Sequence, residues 1–253
     1  MSISGTADAA EIAKFEAMAA EWWDPDGKFR PLHAMNPCRL DYIAGQIAAE
    51  FGRNLRARRP FDGLAIADIG CGGGLTAEPM ARLGAAVAGF DAAEESLAVA
   101  RAHAAAGGLD IDYRAELAED AAARGARYDV VLALEIVEHV ADPAAFAAAL
   151  GALLRPGGMA ILSTLNRTPE SYAAAIVGAE HILRWLPRGT HDWRKFPTPD
   201  ELEALLAAAG LDVVDAKGMV PDLTRGGWRL SAGNLRVNYI MTAIRPADGP
   251  KEG

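Results

Sequence analysis

Two groups of residues in this chain of 253 amino acids have types and spacing that suit chemistry. The first is Glu135-Ile136-Val137-Glu138-His139. A helical turn at that point would place positions i, i+3 and i+4 on one face, so that Glu135, Glu138 and His139 converge. Two carboxylates and an imidazole are a hard ligand set that suits Mg²⁺ or, with more nitrogen character, Zn²⁺. Without a metal, the same histidine is a pocket wall or a general base. The second group is Asp68-Ile69-Gly70-Cys71-Gly72-Gly73-Gly74, followed by Asp91 at the end of the next apolar run. A strand that stops at an acid and breaks into glycines lets a ligand lie against the backbone. A pyrophosphate site would show G-x-G-x-x-G. Here the glycines read G-x-G-x-G behind Asp68, whose carboxylate repels phosphate but accepts a hydrogen bond from an ammonium group. Asp91 is placed to take both hydroxyls of a ribose. An ammonium at one end, a ribose at the other and no phosphate describe S-adenosylmethionine, with Asp68, Gly70, Gly72 and Asp91 as its contacts.

Elements of a particular kind must position these residues. Apolar runs at Leu64–Ile69, Ala85–Asp91, Ile111–Arg114, Tyr128–Leu134, Met159–Leu165, Leu211–Met219 and Asn238–Ile244 read as strands. Helical stretches at Leu75–Leu83, Ala93–Ala106, Pro143–Leu154 and Pro199–Ala209 lie between them. This alternation predicts an α/β fold with a doubly wound, mostly parallel seven-stranded sheet and helices on both faces. Pro156-Gly157-Gly158 reads as a turn before the fifth strand. Two parts fall outside the rhythm. Residues 1–60 read as a helical cap, with helices over Asp8–Trp22 and Pro37–Phe51 joined by a loop over Asp24–Asn36; the domain proper would be 61–253. Asn36-Pro37 looks like a helix start. One turn inside that helix, Arg39 would reach the donor's methionine carboxylate or form a surface salt bridge. Trp22, Trp23, Phe29, Pro31 and His33 would cap the cofactor, touch an aromatic acceptor, or pack the helices together. Cys71 is most simply a small filler in the turn.

The second departure is residues 166–196, inserted after the fifth strand and therefore on the ligand side of an open sheet. Within it Ser171 to Leu186 reads as a helix. Glu170, Glu180, His181 and Arg184 share an arc of roughly 100°. Tyr172, Ile176, Ile182, Leu183 and Leu186 lie opposite, and Arg188, Arg194 and Lys195 follow. Such a helix lies in a membrane interface, covers a greasy substrate, or packs on its own core.

Composition sets outer limits. A net charge of −9 argues against a nucleic-acid partner. Two cysteines make neither a disulfide framework nor a zinc knot, so a cytoplasmic setting is expected. Met1 to Ala10 lacks the basic and apolar regions of a secretory signal, and no apolar window is long enough to span a bilayer.

Together these segments resemble the ubiquinone-biosynthesis O-methyltransferase family within the class I S-adenosylmethionine-dependent methyltransferases. The resemblance runs from Glu11 to about Ile244. Its most specific stretches are Glu11–Glu16, Trp22–Asp24, Pro31–His33, Asn36-Pro37 with Arg39-Leu40, Asp68–Gly74, Glu135–His139, Ser163–Arg167, Val177–Glu180, Gly189–Asp192 and Val237–Tyr239. It implies O-methylation of a 2-polyprenyl-6-hydroxyphenol and of 3-demethylubiquinol, with donor contacts at Arg39, Gly70, Asp91 and Leu134. Leu134 stands where the family has Met and keeps an apolar wall. The resemblance also implicates Glu135, Glu138 and His139 in Mg²⁺ binding. It further implies a greasy role for 166–196, against a substrate tail or lipid on the inner face of the cytoplasmic membrane, with other proteins of ubiquinone synthesis as candidate partners. Three readings compete with it. One is a class I methyltransferase acting on another quinone or phenol, and one is a nicotinamide-dependent oxidoreductase. The third is a membrane-associated protein that binds the donor without catalysis.

Overall fold

The computed structural model describes residues 6, 9–173, 192–222, 224 and 226–247. The chain runs α1 (Ala9–Glu16), α2 (Arg30–Glu50), β1 (Ala65–Ile69), α3 (Ala77–Arg82), β2 (Ala86–Asp91), α4 (Glu94–Ala106), β3 (Asp112–Ala115) and α5 (Ala118–Ala123). It continues through β4 (Tyr128–Leu134), α6 (Pro143–Leu153), β5 (Leu154–Leu165) and α7 (Pro169–Ser171) to α8 (Pro199–Ala208), β6 (Asp212–Pro221), β7 (Trp228–Ser231) and β8 (Asn238–Ile244). The strands form one sheet in the order β3-β2-β1-β4-β5-β8-β6-β7. β1 to β5 pair in parallel, and β8 enters antiparallel between β5 and β6.

The central strands are largely apolar because both faces are covered, and their buried polar residues, Asp68 in β1 and Ser163 and Thr164 in β5, stand near the carboxyl ends. Along them side chains alternate between two cores. Ile66, Val130, Leu132, Met159 and Ile161 meet α2, α3 and α4, through residues such as Ile43, Ile47, Met80 and Leu97. Their neighbours Ala67, Val131, Ala133, Ala160 and Leu162 meet α5, α6 and α8, through Ala121, Phe146, Leu150, Leu202 and Leu206. α2 thus shares a core with the sheet. Local signals set the helix starts. Asp142 caps α6 by accepting from the N–H groups of Ala144 and Ala145, both at 3.0 Å, and Pro143 opens the helix. Thr198 and Glu201 close a reciprocal capping box on α8.

The sheet has eight strands rather than the expected seven. The extra strand, β7, is four residues on the far edge against β6, too short to show a period. α2 begins at Arg30, so the expected loop over Asp24–Asn36 is helical in its second half, and Pro37 lies inside the helix. Proline removes one helical N–H and crowds the preceding turn. Burial of Met35, Cys38 and Tyr42 on either side carries the helix through it. β5 also starts early, at Leu154, with Pro156-Gly157-Gly158 as an irregular lead-in opposite a register shift in β4.

The order of strands reverses between β1 and β4, and a ligand crevice opens at the carboxyl ends of the strands on either side of such a point. β1 leads there into the glycine turn, β2 ends at Asp91, and β4 leads into Glu135.

Candidate active site

A cavity of about 390 Å³ lies at this edge, and Arg39, Asp68, Gly70, Asp91, Leu134, Glu135, Glu138 and His139 all line it. One half of it begins with the turn after β1. The N–H groups of Gly70 and Cys71 both donate to the Phe90 carbonyl, at 2.8 and 3.0 Å, fastening the turn to β2. Gly70 and Gly72 hold φ of 70° and 50°, a region costly for other residues. Asp91 accepts from the Gly72 N–H and the Ala93 N–H, each at 2.8 Å. Burial raises its pKa, while those N–H groups oppose the rise. Both oxygens keep further lone pairs for hydroxyl donors.

Asp68 is buried, and its Oδ2 has no hydrogen-bond partner. Burial pushes its pKa up to about 7, with Arg39 opposing and Asp91 adding to the rise. Arg39 is only 3% exposed, so the reading of a surface salt bridge is excluded. One guanidinium nitrogen donates to Asn36 Oδ1 at 3.0 Å, and another lies 4.0 Å from Glu135 Oε1. Its Nε has no partner. A buried carboxylate and a buried guanidinium, each with an orphaned atom on one cavity, call for an explanation. An amino-acid group supplies one, its ammonium for Asp68 and its carboxylate for Arg39. That is the methionine end of S-adenosylmethionine, so these residues fit the donor.

The other half follows β4. The helical turn begins at Val137, as a short 3₁₀ turn over Val137–His139, so Glu135 lies before it. Glu135 instead takes a left-handed conformation, with φ of 52°, which is rare outside glycine. Its N–H donates to the Ser163 carbonyl at 2.8 Å, and Ser163 Oγ donates back to Oε1 at 2.7 Å. Glu138 is buried and accepts from Thr164 Oγ1 at 2.8 Å; burial, reinforced by Glu135, lifts its pKa to about 7. His139 Nδ1 lies 2.9 Å from Glu11 Oε2. Burial disfavours the imidazolium, but Glu11, Glu138 and Glu135 outweigh it and raise the pKa. The trio therefore reaches one cavity without forming the expected metal-ligand set. One atom of each is engaged, Glu135 Oε1 by Ser163, Glu138 Oε2 by Thr164 and His139 Nδ1 by Glu11, and among the described residues no three His, Cys, Asp or Glu side chains are grouped to hold a metal ion.

The two adjacent tryptophans do different things. Trp22 lines the cavity, stacks on Phe29 with centroids 3.7 Å apart, and donates to Ser96 Oγ at 3.0 Å. Trp23 donates to the Gly73 carbonyl at 2.9 Å and stacks on His103, clamping the turn from outside. His33 bonds the Trp22 carbonyl at 2.8 Å. A Cβ on Gly72 would sit 2.2 Å from the Trp22 ring. Gly72→Ala is therefore expected to lower donor affinity at least tenfold in calorimetry and to change tryptophan fluorescence, because both backbone and ring must move. Unchanged affinity would remove Trp22 from the donor wall.

Sequence reasoning passed over several lining residues, among them Glu11, Phe15, Leu165, Trp228 and Asn238. Glu11 and Phe15 stand in a stretch that carried the family resemblance, yet nothing local to it indicated a partner. At the base of the insertion Trp193 donates to the Thr168 carbonyl at 3.0 Å and meets Tyr172 edge-on. Beyond residue 173 the amphipathic helix expected over Ser171–Leu186 lies outside the described residues, as do Val177–Glu180 and Gly189–His191.

Residues 42–216 match a family model described as a methyltransferase domain. In fold the protein resembles the magnesium protoporphyrin IX methyltransferase of Synechocystis solved with bound SAM, with a TM-score of 0.60 at 18% identity, over 96% of this chain and 100% of that one. It also resembles a possible histamine N-methyltransferase from Thermotoga maritima, with a TM-score of 0.63 at 16% identity, over 92% and 99% of the two chains. In sequence it is 63% identical over 246 residues to the ubiquinone biosynthesis O-methyltransferase of Cereibacter sphaeroides, covering 97% of this chain and all of that one. It is 64% identical over 242 residues to that of Dinoroseobacter shibae, covering 96% and 98%. Identity at this level across nearly the whole of both chains places the protein in the ubiquinone biosynthesis O-methyltransferase family.

Proposed function

We propose that the protein methylates phenolic hydroxyls of polyprenylated acceptors, 2-polyprenyl-6-hydroxyphenol and 3-demethylubiquinol, with His139 as general base. The observation that carries this reading is that His139, Asp68 and Asp91 line one cavity, with the two acids assigned to the donor. A phenol of pKa about 10 is a weak nucleophile near neutrality. His139 takes its proton as the oxygen attacks the methyl group in line with the sulfonium sulfur. The carbon–sulfur electron pair stays on sulfur, leaving a neutral thioether. Phe15, Leu134, Ile136, Val140 and Leu165 provide an apolar wall suited to an aromatic ring.

In this reading residues 1–60 cap the catalytic domain, 61–253, and 166–196 receives the tail or meets lipid at the inner face of the cytoplasmic membrane. The apolar pattern of that segment and its exit beside the cavity support the assignment. No helix among the described residues is long and apolar enough to cross a membrane. Other proteins of ubiquinone synthesis would meet the same surface.

The test is methyl transfer from labelled S-adenosylmethionine to a short-chain prenyl catechol by the purified protein. Methylation of a ring oxygen that is indifferent to chelator is the expected result. Failure of every catechol and quinol acceptor would overturn the substrate class. Activity abolished by chelator and restored by Mg²⁺ would return Glu135, Glu138 and His139 to metal binding.

A further inference from the structure

We infer that Glu11 is the positioning residue of His139, so that helix α1 completes the active site from outside the methyltransferase domain. The inference rests on His139 being the base. Glu11 and Phe15 are one helical turn apart and share a face of α1. Both meet the same ring, Glu11 Oε2 at 2.9 Å from Nδ1 and Phe15 edge-on with centroids 5.4 Å apart. The carboxylate is tethered in turn, because its other oxygen, Oε1, accepts from Lys14 Nζ at 2.6 Å. Upstream, the Thr6 carbonyl accepts from the Ala141 N–H at 2.6 Å, so the chain before α1 is fastened two residues beyond the histidine.

This geometry has a definite chemical consequence. A carboxylate at Nδ1 accepts the Nδ1–H, which leaves the lone pair of neutral imidazole on Nε2 across the ring. One edge of His139 is thereby committed to α1. The phenol proton moves to Nε2, and the resulting imidazolium is held by the Glu11 carboxylate, which keeps its own charge. This is the base-plus-orienter arrangement found wherever an imidazole must present one chosen nitrogen. α1 lies wholly before residue 42, where the match to the methyltransferase domain begins. The orienter is thus a contribution of the N-terminal segment and not of the common domain.

The experiment compares Glu11→Gln, Glu11→Asp and His139→Gln in the full chain. Donor affinity is read by calorimetry, kcat and KM with a prenyl catechol, and the His139 ring nitrogens by ¹⁵N NMR. Glu11→Gln, with an amide that either accepts or donates, is expected to lower kcat by about 10- to 100-fold, part of what a general base contributes. Donor affinity should stay within about threefold, and the imidazole should shift toward a mixture of tautomers. Glu11→Asp, which keeps the charge on a shorter arm, should restore part of the loss. An inactive His139→Gln beside a Glu11→Gln of unchanged kcat and tautomer overturns the role of Glu11 and leaves His139 as base. A fully active His139→Gln overturns the base itself. Equal losses of donor affinity and kcat in Glu11→Gln would reduce the contact to packing of α1 and also overturn the inference.

Discussion

Replacing His139 with glutamine is expected to lower kcat for methyl transfer by about 10²- to 10⁴-fold, with donor affinity nearly unchanged. At pH 7 only about one phenol in a thousand is ionised, so a positioned base has most of the nucleophile still to generate. Glutamine keeps the approximate size of the ring and removes the basic nitrogen. Because surrounding carboxylates raise the histidine pKa, and the base must be neutral to act, wild-type kcat should climb with pH through that raised value to a plateau. The variant should lack this rise and regain rate only as the medium approaches the phenol's own pKa. Steady-state rates across pH for both proteins decide the matter, and a variant with the wild-type profile would exclude His139 as base.

The meeting of Asp68, Gly70 and Asp91 on one cavity was legible because its signals are local. Asp68, the glycines and Asp91 lie at strand ends, and strand ends can be read from apolar runs that stop. The fold was legible for the same reason, since β1, β4 and β5 are buried over most of their length and carry largely apolar segments. The half that follows β4 rests on contacts that no window spans. Glu11 and His139 are 128 residues apart, and nothing near either names the other. The face-sharing argument for Glu135, Glu138 and His139 assumed an α-helix from Glu135. The backbone leaves β4 through a left-handed residue whose N–H and carboxylate are both taken up by Ser163. Pro37 misled, and the surface alternative for Arg39 failed, for related reasons. Propensity treats proline as a boundary and arginine as surface, but packing of α2 against the sheet decides both positions.

Replacing Asp68 with asparagine should weaken S-adenosylmethionine binding by about 10²- to 10³-fold at pH 8, the scale of removing one partner from a buried charge pair. The same change should raise the melting temperature of the protein without donor. Both effects follow from a carboxyl group that burial lifts to about pKa 7. Unfolded, the group titrates near 3.8, so between 3.8 and about 7 the folded state holds the extra proton. Stability therefore falls as pH rises through that window, and above it the folded protein carries a buried carboxylate with an unpartnered oxygen. In the proposed assignment the donor's ammonium is the missing partner and favours the ionised form. Between the lowered pKa of the complex and the value of about 7 without donor, binding releases a proton. Wild-type affinity should then be full above pH 7 and decline toward tenfold per unit below it, until the pKa of the complex is reached. Asparagine cannot titrate, so the slope attributable to this group should vanish along with the stability cost. Calorimetry in buffers of different ionisation enthalpy measures the released proton directly. A wild-type affinity that is flat from pH 6 to 8, or a slope that survives in Asp68→Asn, would move the ammonium contact to another residue. If both effects appear, the glycine turn keeps an acid at position 68 for binding at the expense of the empty fold, a trade common at functional sites.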